Sequence, residues 1–171
     1  MYCIILILIL VPLANGANYN CSSQTPCSCN LKGVGNMNLT GVKFHNNQTY
    51  VESFGFDGFR YRYYPCGAGG PWGNGDCKKG DTTCQYTGDE GYFSLGTAVR
   101  YVISQAVSDK HMPYVSFSYY GGTKGRASTV EIICDPASSV DKLQFMGEYP
   151  THAYNFKLNT VKFCPNISPL F

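Results

Sequence analysis

The chain has 171 residues, a single-domain length, and its 13 Lys and Arg against 11 Asp and Glu leave a net charge of +2. That balance lacks the basic excess by which nucleic-acid binders are recognised, so no nucleic-acid partner is expected. Aromatic residues make up 15% of the chain, with 14 Tyr and 10 Phe beside 19 Gly, a mixture that favours many short strands over helices and makes an all-β domain the starting expectation.

Residues 1–17 read as a signal peptide. Ile4 to Leu13 are apolar apart from Pro12 and are followed by the small residues Ala14, Gly16 and Ala17, a stretch too short to span a bilayer. Its removal leaves residues 18–171 as one domain of about 150 residues, enough to bury a sizeable core. Eight cysteines remain, namely Cys21, Cys27, Cys29, Cys66, Cys77, Cys84, Cys134 and Cys164. An even set in an oxidising compartment implies disulfides and leaves no thiolate for catalysis. No later stretch approaches the ~20 apolar residues of a membrane-spanning helix, so the expectation is a protein of the secretory pathway, secreted or lumenal, with no membrane span. Sequons at Asn20, Asn38, Asn47 and Asn166 agree with that route.

Residues 18–30 hold CSSQTPCSC, a polar stretch without periodicity that is expected to be ordered only by its cysteines. Cys27-Ser-Cys29 has no matching Cys or His pair at zinc spacing, so disulfides are favoured over a metal site. GVKFHNNQTYVESF has hairpin character, with His45 to Gln48 as its turn. In FRYRYYP, Phe59, Tyr61 and Tyr63 share one face and Arg60, Arg62 and Tyr64 the other, the pattern of a half-buried strand stopped by Pro65. The glycine-rich loop from Gly67 to Gly80 lacks the Gly-Lys-Ser/Thr ending of a phosphate-binding loop. It carries the only tryptophan, Trp72, which reads either as a platform for a sugar ring or as a cover for the core. TTCQYT, YFSLGT, RYVISQAVS and YVSFSYY follow as further strands. The count reaches eight to ten, as in a β-sandwich or flattened barrel.

Residues 126–164 read as a C-terminal hairpin on which the rest is organised. Arg126, Val130, Ile132 and Cys134 share one face of a period-two strand, and Tyr154, Phe156, Leu158 and Thr160 share one face of another. A polar residue leads each apolar face, so a guanidinium and a phenol stand at the mouth of a β-core. Enzyme chemistry finds little support. His45, His111 and His152 lie in isolated loop contexts, no serine sits in a Gly-x-Ser-x-Gly elbow, and a carboxylate pair drawn from Glu131, Asp135, Asp141 and Glu148 would be arbitrary. No catalytic residue, metal or cofactor is expected.

Cys84-Gln85, Arg126 eight residues before Cys134, Glu148, and Tyr154 ten residues before Cys164 resemble the signature of the mannose 6-phosphate receptor homology domains. The closing run YNFKLNTVKFCP is similar to that family's final strand, and the likeness extends from about Cys27 to Pro165. The resemblance implies a disulfide-stapled, flattened β-barrel of about nine strands and a lectin site for mannose. By position, Gln85 and Arg126 would contact the 2-hydroxyl, Arg126 and Glu148 the 3-hydroxyl, and Glu148 and Tyr154 the 4-hydroxyl. Arg offers a planar fork of donors, Glu two acceptors and Gln both kinds, a set suited to adjacent hydroxyls. An Arg126 to Glu148 structural ion pair, with Gln85 on the surface and Tyr154 in the core, is the bland alternative for the same residues.

Cysteines that some members carry near the arginine and the glutamate are absent, with Tyr119 and His152 in their neighbourhoods. Against that pattern Cys134 to Cys164 is the one bridge named, and the pairing of the other six stays open. Receptors that read the phosphate use the loop ahead of the arginine, here YYGGTKG. Gly122, with its neighbouring glycines, and Lys124 could serve there, although a hairpin turn beside a solvated lysine explains the same letters. The implied partners are mannose-containing glycans on glycoproteins, in the endoplasmic reticulum, the lysosome or outside the cell, together with a protein subunit as a further candidate partner. A disulfide-stapled protein-interaction module on the same fold is the alternative. The lectin reading requires that the TTCQYT strand carrying Gln85 lie beside the start of the RASTVEIIC strand.

Overall fold

Two-residue alternation decides which side chains are buried. The computed structural model describes residues 21–67, 75–88, 91–107 and 112–165. Within them twelve strands form: β1 (Cys21–Thr25), β2 (Ser28–Leu31), β3 (Gly35–Asn38), β4 (Val51–Phe54), β5 (Arg60–Tyr63), β6 (Asp81–Tyr86), β7 (Tyr92–Thr97), β8 (Tyr101–Val107), β9 (Tyr114–Tyr119), β10 (Ala127–Cys134), β11 (Lys142–Glu148) and β12 (Ala153–Thr160). A five-stranded sheet runs β11-β12-β10-β9-β8, a four-stranded sheet runs β4-β5-β6-β7, and β1-β2-β3 make a small third sheet. The two larger sheets therefore hold the nine strands of a flattened barrel.

Their inward faces form one aromatic and aliphatic core. Tyr61 and Tyr63 of β5, Phe117 and Tyr119 of β9, Val130 and Ile132 of β10, and Phe156 and Leu158 of β12 are all buried in it. Each such side chain contributes on the order of 1.5–3 kcal/mol relative to exposure. The sandwich is joined along both flanks. The Phe145 amide on β11 donates to the Ser53 hydroxyl on β4 at 3.2 Å, and the Thr97 amide at the end of β7 donates to the Tyr120 carbonyl after β9 at 3.0 Å.

The C-terminal pair departs from the hairpin expected of it. β10 and β12 are neighbours but parallel, with Ser128 opposite Tyr154 and Cys134 opposite Thr160. The antiparallel hairpin is β11 with β12, and β11 supplies the return that a parallel pair requires. The expected faces are nonetheless formed, since Val130, Ile132, Cys134, Tyr154, Phe156, Leu158 and Thr160 are all buried.

Two further expectations are corrected. The CSSQTPCSC stretch is not irregular, because it contributes β1 and the first residues of β2. In GVKFHNNQTYVESF the turn exists, with the Phe44 amide donating to the Gln48 carbonyl at 2.8 Å, but its first arm is not a strand and β4 pairs with β5 instead. Asn46 and Asn47 have positive φ there, a conformation asparagine tolerates well.

Four disulfides are present: Cys21–Cys29, Cys27–Cys66, Cys77–Cys84 and Cys134–Cys164. They fit an oxidising compartment. Tyr119 takes a different role from the cysteine it stands near in the resemblance: its hydroxyl donates to the Pro26 carbonyl at 2.6 Å and lies 2.9 Å from the Tyr63 hydroxyl. That chain ties the small sheet to the barrel. Among the described residues no helix is long and apolar enough to cross a membrane. Asn38 and Asn47 are exposed. The expected signal segment, Trp72, His111, Asn20 and Asn166 lie outside the described residues.

Candidate functional site

β6 is covered on both sides, so its burial does not alternate. Cys84 points outward into a small cluster with Tyr64 and Cys77, while Thr83 and Gln85 face the barrel interior. Gln85 pairs across the sheet with Tyr61 on β5 and with Phe93 on β7. Ser128 at the start of β10 donates its hydroxyl proton to Thr83 Oγ1 at 3.0 Å in the buried interior. The strand of Gln85 is thus not a sheet neighbour of β10, but it faces the start of β10 from the opposite sheet.

Arg126 is the last residue before β10 and is held by the loop ahead of it. The Gly122 amide donates to the Arg126 carbonyl at 3.0 Å, and the Ser94 amide on β7 donates to Thr123 Oγ1 at 3.1 Å. A Cβ on Gly122 would approach the Ser94 carbonyl oxygen to 2.5 Å, so only glycine allows the loop to lie this close to β7. The guanidinium sits 4.8 Å from the centroid of the Phe93 ring, donates from Nη1 to the Thr123 carbonyl at 3.3 Å, and donates from Nε to the Tyr154 hydroxyl at 3.4 Å. It is half-buried, with part of its donor fork held and its face laid on an aromatic ring.

Tyr154, the second residue of β12, is opposite Glu148, the last residue of β11. A register shift between Phe145 and Gly147 brings this pairing about. Glu148 is exposed and accepts the His152 amide at 2.6 Å on Oε1. It does not pair with Arg126. The ion pairs among the described residues join Glu52 to Arg60 and Arg62, Glu131 to Lys157, and Asp141 to Lys162. Gln85 is buried, not a surface residue. Beneath these groups lies an aromatic floor in which the Tyr61 and Phe145 rings stack at 4.4 Å, Tyr61 meets Phe156 edge-on at 5.3 Å, and Tyr154 is 6.2 Å from Tyr61.

Three contributors were not singled out from the sequence. Tyr61 donates to Asp57 and accepts from Gln85 Nε2 at 3.0 Å, and Phe93 carries the Arg126 guanidinium. The signal for Tyr61 and Phe93 is their register with Gln85 on the flanking strands. Burial, and then the Asp57 hydrogen bond, push the Tyr61 phenol far above its ordinary range, so the hydroxyl keeps its proton. Chemically the site offers fixed amide, guanidinium, carboxylate and phenol groups around a ring-lined floor, which suits a ligand bearing adjacent hydroxyls.

The YYGGTKG loop borders an open cavity of about 490 Å³, shared with Asp76, Lys78, Asp81 and Ser94. Its backbone donors are partly committed, the Gly122 amide to Arg126 and the Gly125 amide to the Gly122 carbonyl. Lys124 is exposed. Asp81 is buried and accepts the Lys78 amide at 2.6 Å, and burial raises its carboxyl above the ordinary value despite that bond.

No family model and no curated protein sequence matches the chain. Solved structures do. Domain 11 of chicken IGF2R superposes with a TM-score of 0.55 at 13% identity, covering 87% of this chain and 97% of that one. Domain 11 of the echidna mannose 6-phosphate/IGF2 receptor does so with a TM-score of 0.54 at 15% identity, covering 84% and 98%. Matching these domains over nearly their whole length, the chain has the all-β fold of the mannose 6-phosphate receptor domains.

Proposed function

We propose that the chain is a lectin that binds mannose-containing N-glycans by hydrogen bonding, without catalysis. The observation that carries this reading is the convergence of Gln85, Arg126 and Tyr154 from two sheets onto one aromatic floor, with Glu148 opposite Tyr154 at the rim. Gln85 and Arg126 bind the 2-hydroxyl, Arg126 and Glu148 the 3-hydroxyl, and Glu148 and Tyr154 the 4-hydroxyl. Mannose without phosphate is the favoured ligand, because the Gly122 and Gly125 amides of the loop are already engaged and Asp76 and Asp81 offset Lys78 and Lys124 in the cavity beside it. The protein works in the secretory pathway, on glycoproteins in a lumen or outside the cell.

A second reading, a protein-interaction module, draws on the exposed aromatic side chains Phe54, Phe56 and Tyr149. An array of phosphorylated and unphosphorylated high-mannose glycans separates the readings. The lectin binds high-mannose structures and is displaced by free mannose. Binding to no mannose glycan, or binding indifferent to free mannose, rejects it, and retention of phosphorylated glycans alone rejects the preference for neutral sugar.

A further inference from the structure

We infer that Asp57 and Tyr61 are positioning residues that fix which end of the Gln85 side-chain amide faces the sugar. The inference rests on the lectin reading of the site. An amide has a donor end and an acceptor end of nearly the same shape, so the Gln85 pocket alone does not choose between them. Its hydrogen-bond partner does.

Tyr61 has one hydroxyl proton, and Asp57 takes it on Oδ2. An ionised carboxylate only accepts, so the phenol has a lone pair, not a proton, left for its neighbour. Gln85 accordingly turns Nε2 to Tyr61, donating at 3.0 Å. The opposite orientation would set two acceptors against each other in a buried setting, which is costly. The amide oxygen is thereby turned away from Tyr61 and is the end offered to a ligand.

Asp57 is itself held in place. Its other oxygen, Oδ1, accepts the Phe59 amide at 3.0 Å across the turn between β4 and β5. A turn residue thus sets the polarity of a side chain on β6. With Arg126 supplying donors only, Gln85 Oε1 supplies the acceptor that lets one sugar hydroxyl accept and donate at once. With the amide reversed, that hydroxyl would meet donors on both sides and lose the partner for its own proton.

Three variants separate the steps. Asp57→Ala releases the phenol proton, which then points to Gln85 Oε1 and reverses the amide. Asp57→Asn has one oxygen for two donors: the fixed Phe59 amide takes it, Nδ2 turns to the phenol, and the orientation reverses as in Asp57→Ala. Tyr61→Phe keeps the stacked ring and removes the phenol. Two readouts are taken on protein shown to be folded by circular dichroism: the NMR signals of the Gln85 side-chain amide in the free protein, and titration with methyl α-mannopyranoside and its 2-deoxy analogue.

In Asp57→Ala and Tyr61→Phe the Gln85 amide signals shift and mannoside affinity falls roughly tenfold, about one hydrogen bond. The 2-deoxy analogue loses little further affinity, and Asp57→Asn behaves as Asp57→Ala in both readouts. Unchanged amide signals, or an equal fall for both sugars, overturn the inference. A wild type that binds neither sugar overturns the lectin reading, and the amide signals of the free protein then decide the Asp57 to Gln85 relay by themselves.

Discussion

Gln85 and Tyr154 are only 4% and 3% exposed, Arg126 is half-buried and Glu148 is exposed, so the polar groups are graded from the floor of the site to its rim. On the lectin reading Arg126 should matter most, because its fork is partly desolvated and has no carboxylate partner among the described residues. Arg126→Ala should lower mannoside affinity by roughly a hundredfold, the loss of charge-assisted hydrogen bonds. Arg126→Lys should still lose about tenfold, because an ammonium restores the charge but not the planar fork. Titration calorimetry measures both. Asp81 gives a separate test through pH. Its carboxyl is raised by burial, so the folded protein binds this proton more tightly than the unfolded chain. This group therefore subtracts stability as pH rises from about 4 through the raised value. Asp81→Asn, which still accepts the Lys78 amide, should flatten that part of the profile of unfolding temperature against pH. The polar residues leading apolar strand faces were legible in the sequence. Tyr61 and Asp57 were not: a tyrosine alternating with Tyr63 reads as core, and an aspartate before glycine reads as a turn, until the register of β5 with β6 brings Tyr61 to Gln85 and the Tyr61 hydroxyl reaches back to Asp57.

At the scale of elements, alternation reveals which face of a strand is buried but not the direction in which its neighbour runs. That is why β10 and β12 read as a hairpin although they are parallel. The small sheet was hidden for a different reason: CSSQT has no apolar residue but its cysteine, and its order comes from pairing with β2 and from the Cys21–Cys29 bridge. The Cys134–Cys164 bridge closes a 30-residue separation from the end of β10 to the segment after β12. Replacing both cysteines by serine should lower stability by about 3–4 kcal/mol. The same change at Cys77 and Cys84, seven residues apart, should lower it by only about 2 kcal/mol. Denaturant unfolding gives the order. Phe145 stacks on both Tyr61 and Phe56 and joins β11 to the site floor. Phe145→Ala should remove about 3–5 kcal/mol by the same measurement, weakening the support beneath Tyr61.

Across the whole molecule, the site exists because two sheets face each other. Gln85 and Phe93 come from the four-stranded sheet, Tyr154 and Glu148 from the five-stranded one, and Arg126 from the loop that joins them through Thr123 and Ser94. The mouth of a flattened barrel is where such a set can be partly desolvated and still open to a ligand. The central claim is most directly tested by calorimetric titration of the purified protein with methyl α-mannopyranoside, beside Arg126→Ala and beside methyl α-galactopyranoside as the control sugar. The account predicts saturable one-to-one binding of the mannoside by the wild type, roughly tenfold weaker binding of the galactoside, and the roughly hundredfold weaker mannoside binding of Arg126→Ala with the fold retained. Absence of mannoside binding by the folded wild type, or equal binding by Arg126→Ala, would contradict it.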